Sequence, residues 1–154
     1  MWIGTTAQHA IRAVLFLAGK PPGVPIRVDE IATALDLRRN YLSKTLHRLV
    51  RTGVLRSGRG PRGGFQLAIA PARLPLGQVI GPFQPAGELR CLMGRSGCGG
   101  SHPCAAHSRW SNVADAVEAF FAGTTVASLQ GEVAARPQTA PHLDRKPQGR
   151  RKIG

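Results

Sequence analysis

Apolar residues recur at Ala7, Ala10, Ile11, Val14, Leu17 and Ala18, in steps of three and four that gather them on one helical face. Gly19 with Pro21 and Pro22 closes that helix. Asp29 and Glu30 open a second, shorter helix carrying Ile31, Ala32 and Leu35, with both carboxylates at the positive end of its dipole. A third is predicted over 39–52, with Leu42, Leu46, Leu49 and Val50 inward and Gly53 as its stop. Two strands are then expected over 54–57 and 65–68. The turn between them is rich in glycine and carries Arg59 and Arg62. A short helix is predicted over 76–80. From 81 to 104 the periodicity is lost among Gly, Pro, Ser and three cysteines. Helical spacing returns with Trp110, Val113, Ala114, Val117, Phe120 and Phe121, and 124–129 is expected to add one further turn. Beyond Glu132 apolar residues almost vanish and disorder is expected; no internal repeat is visible.

The length of 154 residues suits one domain with appendages, and 42% hydrophobic residues are enough to build a core. Nineteen glycines and 12 prolines, about a fifth of the chain, require long loops or a loose tail. No apolar run approaches the roughly 18 residues a bilayer span needs. A soluble, cytoplasmic protein is expected.

Charge changes the picture. Lysine and arginine outnumber acidic residues 21 to 8, a net of +13 that favours a polyanionic partner. Eight basic residues and no acidic one lie between Arg38 and Arg62. Two short helices around a tight turn, followed by a basic hairpin, make a winged helix–turn–helix. The N-terminal end of its second helix carries Arg38, Arg39, Asn40 and Tyr41, with Ser43 and Lys44 one turn on. Such an end reaches base edges in the major groove: Arg can read guanine, Asn adenine, while Ser, Tyr or Lys hold phosphates. Arg59 or Arg62 at the hairpin tip suits a narrow, electronegative minor groove.

An odd number of cysteines excludes a complete disulfide framework within one chain. Their spacing is Cys91, six residues, Cys98, five residues, Cys104, two residues, His107. Three thiolates and an imidazole are enough for a 2Fe–2S centre or a closed zinc site, and thiols used as a switch remain a third option. A thiol-redox enzyme is disfavoured, because no C-x-x-C pair, nucleophile–base set or nucleotide loop is present.

The stretches Thr6 to Ala13, Arg39 to Lys44 and Arg59-Gly60-Pro61-Arg62-Gly63-Gly64-Phe65 resemble the IscR/NsrR-type winged-helix regulators, and the likeness continues through the cysteine loop to Thr124-Thr125. The resemblance implies a homodimeric bacterial transcription factor, commonly a repressor, that binds a pseudo-palindromic operator in double-stranded DNA. It implies an iron–sulfur cluster, of 2Fe–2S type, on Cys91, Cys98, Cys104 and His107, reporting iron–sulfur, redox or nitric oxide status. Cys104-Ala105-Ala106-His107 with Trp110 matches the IscR arrangement. The place where NsrR-type members supply an acidic ligand is Gln8 here, which favours His107; His9 and His102 are substitutes. Ser43 stands near an acidic position of IscR, so operator choice is expected to differ. The fold expected is mainly α with a small β-hairpin. It divides into a winged helix–turn–helix DNA-binding domain (1–80), a cysteine-containing cluster-binding loop (81–107), a long dimerisation helix (108–130) and a disordered basic tail (131–154).

Overall fold

The computed structural model describes residues 3–60, 63–84, 91–93, 95, 98–99 and 101–135; Arg62 and the tail beyond 135 lie outside the described residues. Along the described chain run α1 (Thr5–Ala18), α2 (Val28–Leu35), α3 (Arg39–Arg51), β1 (Leu55–Gly58), β2 (Gly64–Leu67), α4 (Leu76–Ile80), α5 (His107–Gly123) and α6 (Val126–Ala135). The expected mainly helical fold with one hairpin is present.

The centre of the molecule is α1. Its Ala7, Ala10 and Ala13 are fully buried, and such small side chains let α2, α3, α4, α6 and β2 all pack against it. Ile31, Leu42, Leu46, Leu49, Leu74, Val79 and Val126 complete the core with no exposed surface. Each large side chain so buried contributes about 1.5–3 kcal/mol.

The turn between α2 and α3 is short. Asp36 takes the left-handed conformation (φ 52°), which Asp tolerates better than most residues. The Leu37 N–H returns to the Ala32 carbonyl at 2.9 Å, and Arg12 Nη2 donates to the Leu35 carbonyl at 2.8 Å. The first bond closes the turn at the end of α2, and the second ties that end to α1. In the hairpin, Leu55 pairs with Leu67 and Gly58 with Gly64. Ile26 adds a bridge to Phe65 through bonds of 2.9 and 2.8 Å. That bridge requires glycine at 64, where a Cβ would stand 2.5 Å from the Ile26 carbonyl oxygen.

The C-terminal helical segment is divided rather than continued by one turn. Thr124 is extended, and its carbonyl accepts the Leu76 N–H at 2.9 Å, while the Val126 N–H donates to Leu74 at 2.9 Å. This strap, centred on a Pro75–Thr125 bridge, ends α5 and fastens it to the winged part. Thr125 Oγ1 then accepts the Ser128 N–H at 3.2 Å, a side-chain N-cap that starts α6.

Candidate DNA-reading face and metal centre

Packing of α3 decides which of its residues face outward. Leu42, Thr45, Leu46 and Leu49 are buried, leaving Asn40, Lys44, His47, Arg48 and Arg51 exposed. Arg38 is the exposed N-cap, Arg39 is exposed and paired with Asp29 of α2, and Ser43 is half-buried. Arg59 is exposed at the end of the wing. Tyr41, expected among the DNA-facing residues, turns inward instead. Its hydroxyl donates to Thr6 Oγ1 at 2.8 Å and lies 3.4 Å from His9 Nδ1, with the two rings edge to face. Tyr41 therefore fastens α3 to α1.

Two cations at the positive end of α3 oppose its dipole, at a cost of about 0.3–1 kcal/mol each. Asp29 offsets that cost at Arg39, and a phosphate beside the helix end offsets it for both. His47 escaped the sequence reading. It is exposed seven residues after Asn40, on the same face, with its ring 5.2 Å from that of Phe65 in β2. Helical spacing from Asn40 and Lys44 was the available signal. Arg48, one position on, stacks over the Phe83 ring at 5.1 Å.

The Gly-rich loop brings the cysteines together. The Sγ atoms of Cys91, Cys98 and Cys104 all lie within 4.8 Å of one another, the one such His, Cys or carboxylate cluster among the described residues. Within it, Cys91 Sγ and Cys104 Sγ are 3.5 Å apart, and Cys98 Sγ is 3.5 Å from His107 Nδ1. The Cys104 N–H donates to Cys98 Sγ at 3.4 Å. His107 is the first residue of α5 and is held to the loop by its N–H bond to the Cys104 carbonyl, 2.9 Å. Gly99 (φ 136°) makes room for the imidazole, since a Cβ there would come within 3.3 Å of His107 Cε1. The three-sulfur group itself contains no histidine; His107 is the one that approaches it, at Cys98, while His9 lies beside Tyr41 and His102 is exposed.

Backbone N–H bonds from Arg95 and then Met93 favour the Cys91 thiolate and bring its pKa down to about 7 against the effect of burial. At Cys98 the Cys104 N–H pulls the same way, but burial and the neighbouring thiols Cys91 and Cys104 together push the pKa up. The four side chains, with Trp110 and Ser111, line a cavity of about 40 Å³. One water needs about 10–15 Å³ and an organic cofactor hundreds. Room for a few atoms, soft donors and N–H groups aimed at sulfur fit a metal ion or a small cluster.

Fold, outward basic helix and thiol-lined loop together define a winged-helix, DNA-binding regulator. The chain belongs to the Rrf2 family: the family model described as "Iron-dependent Transcriptional regulator" matches residues 3–132. A protein of Aquifex aeolicus assigned as an HTH-type transcriptional regulator is 33% identical over 132 residues, covering 84% of this chain and 91% of the relative. The regulator IscR of Aliivibrio salmonicida is 25% identical over 129 residues, covering 84% and 77%. Among solved structures, CymR, the global cysteine regulator of B. subtilis, superposes with a TM-score of 0.72 at 23% identity, over 86% of this chain and 98% of that one. T. potens IscR gives 0.70 at 22% identity, over 92% and 94%. At these identities both structures share the fold. These relatives are transcriptional regulators, and the family they share with this chain is one of transcriptional regulators. No helix among the described residues is long and apolar enough to cross a membrane.

Proposed function

We propose that this chain acts in the cytoplasm as a homodimeric repressor on a pseudo-palindromic operator, its affinity set by a 2Fe–2S cluster on Cys91, Cys98, Cys104 and His107. The observation that carries this reading is the grouping of the four donor atoms into two pairs, each 3.5 Å apart. Two thiolates sharing one tetrahedral ion at about 2.3 Å stand about 3.8 Å apart. A binuclear centre needs two such pairs, one for each iron. The IscR relatives support the same choice. A structural zinc is the second reading, favoured by the closeness of all three sulfurs.

When bound, such a cluster supplies a group sensitive to oxidants, nitric oxide and iron supply. The protein's part is mechanical. Ordering the loop fixes His107, the first residue of α5, and the far end of α5 is tied by the strap to the winged domain. A change in the loop is thereby passed to the separation of two recognition helices, which a dimer must hold one DNA turn, about 34–36 Å, apart. The two states differ in DNA affinity only as far as that separation differs. Arg38, Arg39, Asn40, Ser43 and Lys44 face the major groove; Arg59 and Arg62 serve the wing. The dimer seam is α5, where Val113 and Phe120 are 46% and 52% exposed, an apolar surface left open among the described residues.

The test starts with anaerobic purification, a visible spectrum, and iron, acid-labile sulfide and zinc analysis. Iron and sulfide in equal amounts are expected, with the spectrum altered by His107→Ala. DNA titrations at fixed salt then compare loaded with emptied protein, and equal affinities sink the sensing mechanism. A colourless zinc protein selects the second reading.

A further inference from the structure

We propose that the emptied loop is a site of oxidative modification, in which a peroxide closes a disulfide between Cys91 and Cys104 and leaves Cys98 a free thiol. This goes beyond the metal reading and its test needs no metal. All three sulfurs lie within 4.8 Å of one another, but their nearest partners differ. Cys91 Sγ and Cys104 Sγ face each other at 3.5 Å. A disulfide holds its sulfurs at about 2.05 Å, so the pair must close by roughly 1.5 Å. Cys98 is engaged differently, by the Cys104 N–H at 3.4 Å and His107 Nδ1 at 3.5 Å. All three sulfurs belong to half-exposed residues, within reach of a small oxidant.

The chemistry balances with hydrogen peroxide as the two-electron acceptor. Cys91 sulfur attacks one peroxide oxygen, the O–O bond breaks, and a sulfenic acid and one water result. The Cys104 thiolate then attacks the Cys91 sulfur, the S–S bond forms, and the sulfenic oxygen leaves as a second water. Two thiols and one peroxide thus become one disulfide and two waters. Two of the four metal donors are consumed until a dithiol reductant returns two electrons.

The experiment uses the full chain, emptied with a chelator, treated with one equivalent of hydrogen peroxide and blocked with N-ethylmaleimide. Trypsin cleavage after Arg90, Arg95 and Arg109 puts Cys91 on one peptide and Cys98 with Cys104 on another. Mass spectrometry is expected to find these peptides cross-linked, with maleimide on Cys98. Cys98→Ser should form the same bond and Cys104→Ser should not; circular dichroism reports whether each variant folds, and the wild-type map decides alone if one does not. A bond that includes Cys98, three alkylated thiols, or a product of twice the mass on a non-reducing gel overturns the proposal. Colour, iron and sulfide of the untreated protein report on the cluster separately, so either reading can fail without the other.

Discussion

Helix α3, with 13 residues, has four of them buried, whereas α5, with 17, has only Ala114 buried. The same difference separates the two regions they belong to. Leu42, Leu46 and Leu49 hold α3 against a core it shares with α1, α2 and β1, and the aim of its outward side chains follows from that packing. Among the described residues, the loop and α5 contribute no comparable row of buried leucines, and α5 reaches the core through Phe121. They are held by the strap to 74–76, by the close approach of Gly77 to Phe121, and by three half-exposed thiols. The winged region is stabilised from within. The loop–α5 region instead presents soft donors and an exposed apolar stripe, the two features on which the proposed cluster and dimer seam rest.

Substitutions at Leu46 and Phe120 sharpen that contrast most. Leu46→Ala opens a cavity in a fully buried site and is expected to cost about 2–5 kcal/mol in denaturant unfolding. Phe120→Ala, at a side chain 52% exposed, should leave the fold intact and instead weaken self-association in sedimentation runs. If both cost the same in unfolding and the dimer is unchanged, the two regions do not differ in the way described. On α3, Asn40→Ala should lower operator affinity by about 1–3 kcal/mol and relax preference at one base pair. Lys44→Ala should weaken all sequences alike and reduce the salt slope by about one, as expected for a lost phosphate contact. Identical salt slopes for Lys44→Ala and wild type would remove Lys44 from the interface.

Tyr41→Phe is expected to cost about 1 kcal/mol of stability through the hydroxyl bond to Thr6, with the visible spectrum of the loaded protein unmoved. A spectral change would mean that α1, α3 and the loop are more tightly coupled than their packing indicates. The smallest effect concerns pH. Burial, with the Arg12 charge behind it, holds the His9 imidazole below its ordinary 6.5. The unfolded chain therefore takes up that proton first. Stability from this group is complete above pH 6.5 and declines as pH falls through and below that value. His9→Gln should flatten that part of the profile, and an unchanged acid limb would assign it to other groups.

Much of this was legible in the chain. The period of three and four placed α1 and α3 within a residue or two, and Leu76–Ile80 came out with its observed limits. The strands were displaced by one residue each, because glycine-rich ends carry no side-chain pattern to mark where pairing begins. The inward bond of Tyr41 was not legible, for a different reason. Its position on the first turn of α3 suits DNA, and nothing local reveals that Thr6 and His9, more than 30 residues earlier, stand beside it. The end of α5 failed in the same way: 124–129 has acceptable helix formers, but the bonds to Leu74 and Leu76 pull Thr124 out of the helix.

The sequence by itself determined the helices, the wing, the basic face and the kinds of donor in the loop, since those follow from periodicity, turn chemistry and composition. Tertiary structure decided which donors stand together. Spacing along the chain treats Cys91, Cys98 and Cys104 as a simple series, yet the fold sets Cys91 against Cys104 and gives Cys98 to His107. It also decided that Tyr41 turns inward and that α5 ends at Gly123. Each of these depends on groups far apart in the chain meeting at one point. Local propensity carries no information about such meetings, because they exist only once the core around α1 has formed.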